Sequence, residues 1–193
     1  PESASILINL GTGSQVLASS PDIAENVEIR SCALGEQVHA VTHIPSGRAL
    51  NTFAGFIDDC VRLGGGDPVF WKMFSDLNAE EVLNAEVCVD LNVFDAAWQF
   101  SSGGSITRIT ENTFDLKWLI CSIAKSWLAQ YVEALATIMP AHPSPVFLLG
   151  GGLSRRAFFV RPALESMLNR KCVCTPLRTG EDTLDGLLKL AEN

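Results

Sequence analysis

A chain of 193 residues, 47% hydrophobic and 19% charged, is long enough to bury a full core without a disulfide or metal staple, which excludes disorder as its main state. Its 14 Lys and Arg stand against 22 Asp and Glu, for a formal net charge of -8, and without a basic run neither nucleic acid nor an anionic membrane is an expected partner. The most apolar stretches, 118–128 and 146–149, fall short of the ~20 residues of a bilayer span, and the first residues lack the pattern of a signal peptide, so a soluble cytoplasmic protein is expected.

Ser5 to Leu10 reads as a short strand, followed by Gly11-Thr12-Gly13-Ser14 and a second apolar run, Val16 to Ala18; together they predict a hairpin. Further strands are expected at Val27 to Arg30 and Gln37 to Ile44, ahead of the turn Pro45-Ser46-Gly47. From Arg48 to Leu63 the apolar residues Leu50, Phe53, Ala54, Ile57 and Val61 recur at helical spacing, and Gly64-Gly65-Gly66 ends the helix. Asp67-Pro68 opens a short helical stretch, Glu86 to Asn92 alternates as a strand, and Ser101-Ser102-Gly103-Gly104 is irregular; the region around 48–110 reads as an insertion.

Thr113 to Met139 is the longest predicted helix, with Phe114, Trp118, Ile120, Leu128, Tyr131 and Ile138 among its apolar positions, and Pro140 ends it. Val146 to Leu149 is a continuous apolar strand of the fully buried kind, after which Gly150-Gly151-Gly152 turns the chain into a helix from Arg155 to Leu168. Lys171 to Thr175 reads as a strand and Glu181 to Ala191 as a closing helix capped by Thr179. Hairpin-linked strands followed by alternating helices and strands imply an α/β fold whose mixed sheet is flanked by helices.

Neither G-x-x-x-x-G-K-[ST] nor G-x-G-x-x-G is present: Gly11-Thr12-Gly13 lacks a third glycine and leads into a strand. Such a turn can still aim backbone N–H groups at an anion, with the Thr12 and Ser14 hydroxyls adding donors, which suits a polyphosphate. A hairpin needing positive φ at glycine is the other reading. Gly150-Gly151-Gly152, between a buried strand and a helix, allows either close ligand approach at the carboxyl end of the strand or close strand-to-helix packing.

The two motifs in this strand order resemble the C-terminal domain of the FGGY carbohydrate kinases, within the ribonuclease H-like superfamily of actin, hexokinase and the Hsp70 ATPase. The resemblance covers essentially the whole chain, 1–193, as a single domain. Residues Leu7 to Gln15 and Pro21 to Arg30 are most similar to the sedoheptulokinase branch. It implies an ATP-dependent sugar kinase, with a ketose such as sedoheptulose as substrate and Mg2+ as cofactor. Matched residue by residue, Gly11 and Thr12 face the ATP phosphates with Gly13 and Ser14 adjoining, Gly150, Gly151 and Gly152 form the adenosine turn, and Gly47 and Asn51 lie on one helix face as a third contact. The position where the family often has Asn beside the adenine is Arg156 here, which can stack on a base but cannot accept a hydrogen bond. The resemblance further implies that the sugar site, the catalytic Asp and the main Mg2+ carboxylates belong to an N-terminal domain, the expected partner, that this chain lacks. No catalytic base is therefore assigned, and Asp58, Asp59, Asp90, Asp95, Asp182 and Asp185 are read mostly as surface or helix-cap charges. The competing readings are a non-catalytic actin-like module that binds nucleotide or a partner domain, and a purely structural α/β domain.

Other constellations are expected to be structural. Six cysteines are scattered mostly in apolar runs and read as reduced core thiols; Cys172-x-Cys174 has no second Cys/His pair near it in sequence to complete a metal site. His39 and His43 would lie roughly 13 Å apart along a strand, too far to share a metal. No G-x-S-x-G elbow supports a hydrolase. Trp71, Trp98, Trp118 and Trp127 read as core or domain-interface residues.

Overall fold

The computed structural model describes residues 5–19, 27–31, 37–99, 103–138 and 146–175. Alternating apolar residues make β1 (Ser5–Asn9) and β2 (Ser14–Ser19) an antiparallel pair, with Ile6, Ile8, Val16 and Ala18 buried. β3 (Glu28–Ser31) and β4 (Gln37–Ile44) extend the sheet on the β2 side, while β7 (Val146–Gly150) and β8 (Cys172–Cys174) extend it on the β1 side. The strand order is β3-β4-β2-β1-β7-β8. β1 pairs with β7 in parallel, Ser5 opposite Val146 through Asn9 opposite Gly150, and with β2 antiparallel, so the sheet is mixed as expected.

One consequence of this topology positions the site. β4 is antiparallel to β2 and therefore runs with β1 and β7, so the carboxyl ends of all three strands, and the turns that follow them, lie on one edge of the sheet.

After β4 comes α1 (Gly47–Leu63), whose Ala49, Leu50, Ala54 and Ile57 are buried. It ends where Gly65 turns at φ 82 and the Gly66 N–H bonds back to Val61 O, as the triple glycine implies. α2 (Phe70–Ser75) and α3 (Ala79–Asn84) follow, then β5 (Cys88–Asp90) pairs with β6 (Ser105–Thr107) in a separate two-stranded sheet. The 23-residue α4 (Leu116–Ile138) runs through the core, with Trp127, Leu128, Tyr131 and Leu135 fully buried. Among the described residues no helix is long and apolar enough to cross a membrane.

Several expectations are corrected. Asp67-Pro68 does not open a helix: α2 begins at Phe70 because the Asp58 carboxylate, reaching over from α1, accepts the Val69 and Phe70 N–H groups at 2.8 and 3.0 Å. The strand expected over Glu86 to Asn92 contracts to β5, because β6 offers it only three partners. The long helix starts at Leu116 rather than Thr113, since Asp115 caps it by accepting the Trp118 N–H at 2.8 Å; Phe114 is left outside the helix and 47% exposed. The helix expected over Arg155 to Leu168 is two, α5 (Gly152–Arg156) and α6 (Val160–Leu168), broken where Phe158 is 84% exposed and Phe159 turns inward. Leu148 of β7 is half-buried, so that strand is not covered equally on both faces. His43 lies at a bulge where two residues of β4, Thr42 and His43, face one of β2, Gln15; its φ of 59° takes it out of the regular strand, while His39 is buried in it. The closing helix, with Thr179, Asp182 and Asp185, falls outside the described residues.

Candidate functional site

The three turns on the common edge are tied together by their backbones. After β1, the Leu10 N–H bonds to Gly150 O at 2.9 Å, and Leu10 O accepts the Leu153 N–H at 3.1 Å, fixing the β7–α5 turn to the end of β1. Gly11 O accepts both the Gly47 N–H at 3.3 Å and the Ser14 hydroxyl at 3.0 Å, which fixes the start of α1 to the same turn. The Gly11 N–H in turn bonds to Ser14 Oγ at 3.2 Å, closing the turn on itself.

Two glycines are demanded by this interlock. A Cβ on Gly47 would stand 3.1 Å from Thr12 Cα and 3.3 Å from Gly11 O, tighter than ordinary contact. Gly151 has φ 88 and ψ 156, a region that only glycine occupies readily, and a Cβ there would lie 2.3 Å from Leu10 O. Gly11 and Gly13 are different. Neither has positive φ, and a Cβ on Gly13 or Gly152 would meet nothing within 4 Å. The hairpin reading that needs positive φ at Gly11 or Gly13 therefore fails, and what glycine provides there is open backbone.

A cleft of about 540 Å³ opens over the junction, within the usual range for small-molecule sites. Gly11 and Thr12 line it from the first turn, Gly47 and Asn51 from α1, and Gly152 and Arg156 from α5. Six of the ten sequence-derived candidates are thus brought together. Four are not on its wall: Gly13 lies beside it and open, Ser14 is buried beneath the turn, Gly150 is the last residue of β7, and Gly151 packs against Leu10. Trp71, Phe74 and Ser75 of α2 complete the wall with Leu153 and Ala157. Sequence reasoning missed this contribution. Trp71 is half-buried and meets the Phe70 and Phe74 rings edge-on, at 5.2 and 5.5 Å between centroids.

The chemistry of the wall is distinctive for so acidic a chain. Among the described residues lining the cleft there is no carboxylate and one cation, Arg156; the polar groups are the Thr12 and Ser75 hydroxyls and the Asn51 amide. Glycine backbone, neutral donors and a guanidinium suit an anionic ligand, and an indole wall suits one with a flat ring. No group of three or more His, Cys, Asp or Glu able to hold a metal occurs among the described residues. Three of the aspartates are engaged elsewhere: Asp58 caps α2, Asp59 pairs with Arg62, and Asp90 accepts the Asn92 N–H.

Beneath the junction lies a buried polar group. Ser46 Oγ accepts from Trp127 Nε1 at 3.0 Å and from the Tyr131 hydroxyl at 3.1 Å. Burial pushes the Tyr131 phenol up to about 12, so it remains a neutral donor.

No family profile and no curated protein matches the chain in sequence. Solved structures do match in three dimensions. Xylulose kinase from Bifidobacterium adolescentis superposes with a TM-score of 0.69 at 14% identity, over 93% of this chain and 35% of that one. A ligand-bound xylulose kinase from Lactobacillus acidophilus gives 0.69 at 15%, over 98% and 39%. Glycerol kinase from Plasmodium falciparum with ADP gives 0.62 at 14%, over 96% and 38%. At these identities the likeness establishes the fold alone: a mixed α/β domain like that of one part of these carbohydrate kinases. The chain spans well under half the length of each.

Proposed function

We propose that this chain is the nucleotide-binding half of an ATP-dependent carbohydrate kinase, a single domain over 1–193 with an insertion around 48–110. The observation that carries the reading is the convergence of three sequence-distant turns, through interlocked backbone hydrogen bonds, on one cleft that has no carboxylate among the described residues lining it. Gly11, Thr12 and Gly47 would hold the phosphates of ATP, Gly152 and Arg156 the adenosine, and Asn51 a polar group between them. Gly13 and Ser14 would shape the phosphate turn, and Gly150 and Gly151 the adenosine turn. The sugar would be held mainly by a further, N-terminal domain, whose closure over the cleft excludes water from phosphoryl transfer. A ketose such as sedoheptulose is the substrate that the resemblance favours. Mg2+, when bound with ATP, neutralises developing charge on the phosphates; with no carboxylate on the described wall it would rest on phosphate oxygens, water and groups from the further domain.

The test is an amide NMR titration with a non-hydrolysable ATP analogue and Mg2+. Shifts at Gly11 to Ser14, Gly47, Asn51 and Gly150 to Arg156 are expected. A saturating response elsewhere, or no response at millimolar ligand even with the sugar-binding domain supplied, would reject the reading.

A further inference from the structure

We infer that Tyr131 and Trp127 of α4 are positioning residues for the cleft: through Ser46, which precedes Gly47, they hold the start of α1 against the Gly11–Ser14 turn. This rests on the nucleotide reading for its functional consequence, though not for its geometry. Ser46 stands at the N-cap of α1, where a serine hydroxyl ordinarily accepts a hydrogen bond from a first-turn N–H group. Here it makes no side-chain cap bond. Its oxygen is drawn into the core by two donors, the Trp127 indole and the Tyr131 phenol. An indole N–H can only donate, so Ser46 must accept from it, and accepting from Tyr131 as well uses both lone pairs. The diversion leaves the first-turn N–H groups of α1 without a side-chain acceptor, next to Gly47 on the cleft wall.

The bonds form a continuous chain. From Tyr131 and Trp127 they run to Ser46; the adjoining Gly47 N–H then joins Gly11 O, and Gly11 joins Ser14. Ser14, Ser46, Trp127 and Tyr131 are each 2% exposed or less, so water does not substitute readily for a missing member. Deleting one hydroxyl in the core therefore alters the spacing of two turns on the surface above it.

Tyr131→Phe keeps the ring packed against Trp127 and removes only the hydroxyl. In the ligand-free chain the amide resonances of Gly11, Thr12 and Gly47 should move, while those of Leu153 to Arg156, outside the chain of bonds from Tyr131 to Ser14, stay in place. Affinity for the ATP analogue with Mg2+, by calorimetry, should weaken about five- to tenfold. Trp127→Phe, which removes the other donor, serves if the first variant does not fold. Unmoved amides at Gly11 and Gly47 in the folded variant, or unchanged affinity, would overturn the positioning role. Moved amides in a chain whose parent binds no analogue even with the sugar-binding domain supplied would leave the positioning standing and sink the nucleotide reading instead.

Discussion

Gly151 and Gly152 are adjacent in sequence, yet alanine should have opposite effects at the two positions. At Gly151 the backbone sits at φ 88 and ψ 156, which costs an L-residue about 1–3 kcal/mol. The new methyl would also lie 2.3 Å from Leu10 O, about an ångström inside ordinary contact. Relieving that clash must displace the acceptor of the Leu153 N–H, a bond of 3.1 Å whose loss adds roughly 1 kcal/mol. The sum, roughly 2–4 kcal/mol, is a large part of a domain's stability and should lower the urea midpoint by ~1–2 M at an ordinary slope of ~2 kcal/mol per M. At Gly152 the φ is not positive, the position is helical and a Cβ meets nothing within 4 Å. Alanine there should be neutral or stabilise by up to ~1 kcal/mol, while putting a methyl on the cleft wall and weakening nucleotide binding. Urea unfolding followed by circular dichroism measures both. Equal losses at the two positions would refute the argument, and an unaltered nucleotide affinity for a stable Gly152→Ala chain would favour a purely structural role for the turn.

Tryptophan fluorescence should change when an ATP analogue binds, and Trp71→Phe should remove most of that change while retaining the buried Trp127 signal; an undiminished response would place the ligand away from α2. Glu165 accepts the Cys172 N–H at 2.9 Å and lies beside Arg161 and Lys171, which holds its carboxyl below the usual range. A depressed carboxyl stabilises the fold above its ordinary pKa near 4.5 and loses that contribution as the pH falls through the lower folded value. Glu165→Gln should therefore flatten the acid limb of a stability–pH profile, and an unchanged limb would contradict this. Burial raises the Cys121 and Cys172 thiols to about 11, so in the native chain at pH 8 iodoacetamide should label the exposed Cys60, Cys88 and Cys174 first, the two buried thiols reacting only after unfolding.

The elements legible in the sequence were those with a plain apolar pattern. Ile6 and Ile8 announce β1 and Leu50, Ala54 and Ile57 announce α1, because each matches a single backbone period, while β7 is announced by a short unbroken apolar run that stops at glycine. The glycine turns were legible as candidates, but the separate duties of Gly151 and Gly152 were not, since one answers to Leu10 O across the sheet and the other to open space. Trp71 was hidden for a similar reason: an aromatic beside Phe70 and Phe74 reads as core until α2 is seen to lie along the cleft. The break between α5 and α6 leaves no mark in the Ala-Phe-Phe-Val run, which is equally apolar whichever phenylalanine turns inward. Ser46, an unremarkable turn residue in the sequence, gains its place only from partners on α4.

The parallel pairing that sets Ser5 opposite Val146 also constrains the order in which this protein can mature. Emerging from the ribosome, the β1–β2 hairpin, β4 and α1 are available early, but Leu10 finds its partners at Gly150 and Leu153 only after α4 and β7 have been made. A nascent chain stopped anywhere before Leu153 therefore carries the Gly11–Ser14 turn without its opposing wall, and acquires the cleft only once α5 has been made.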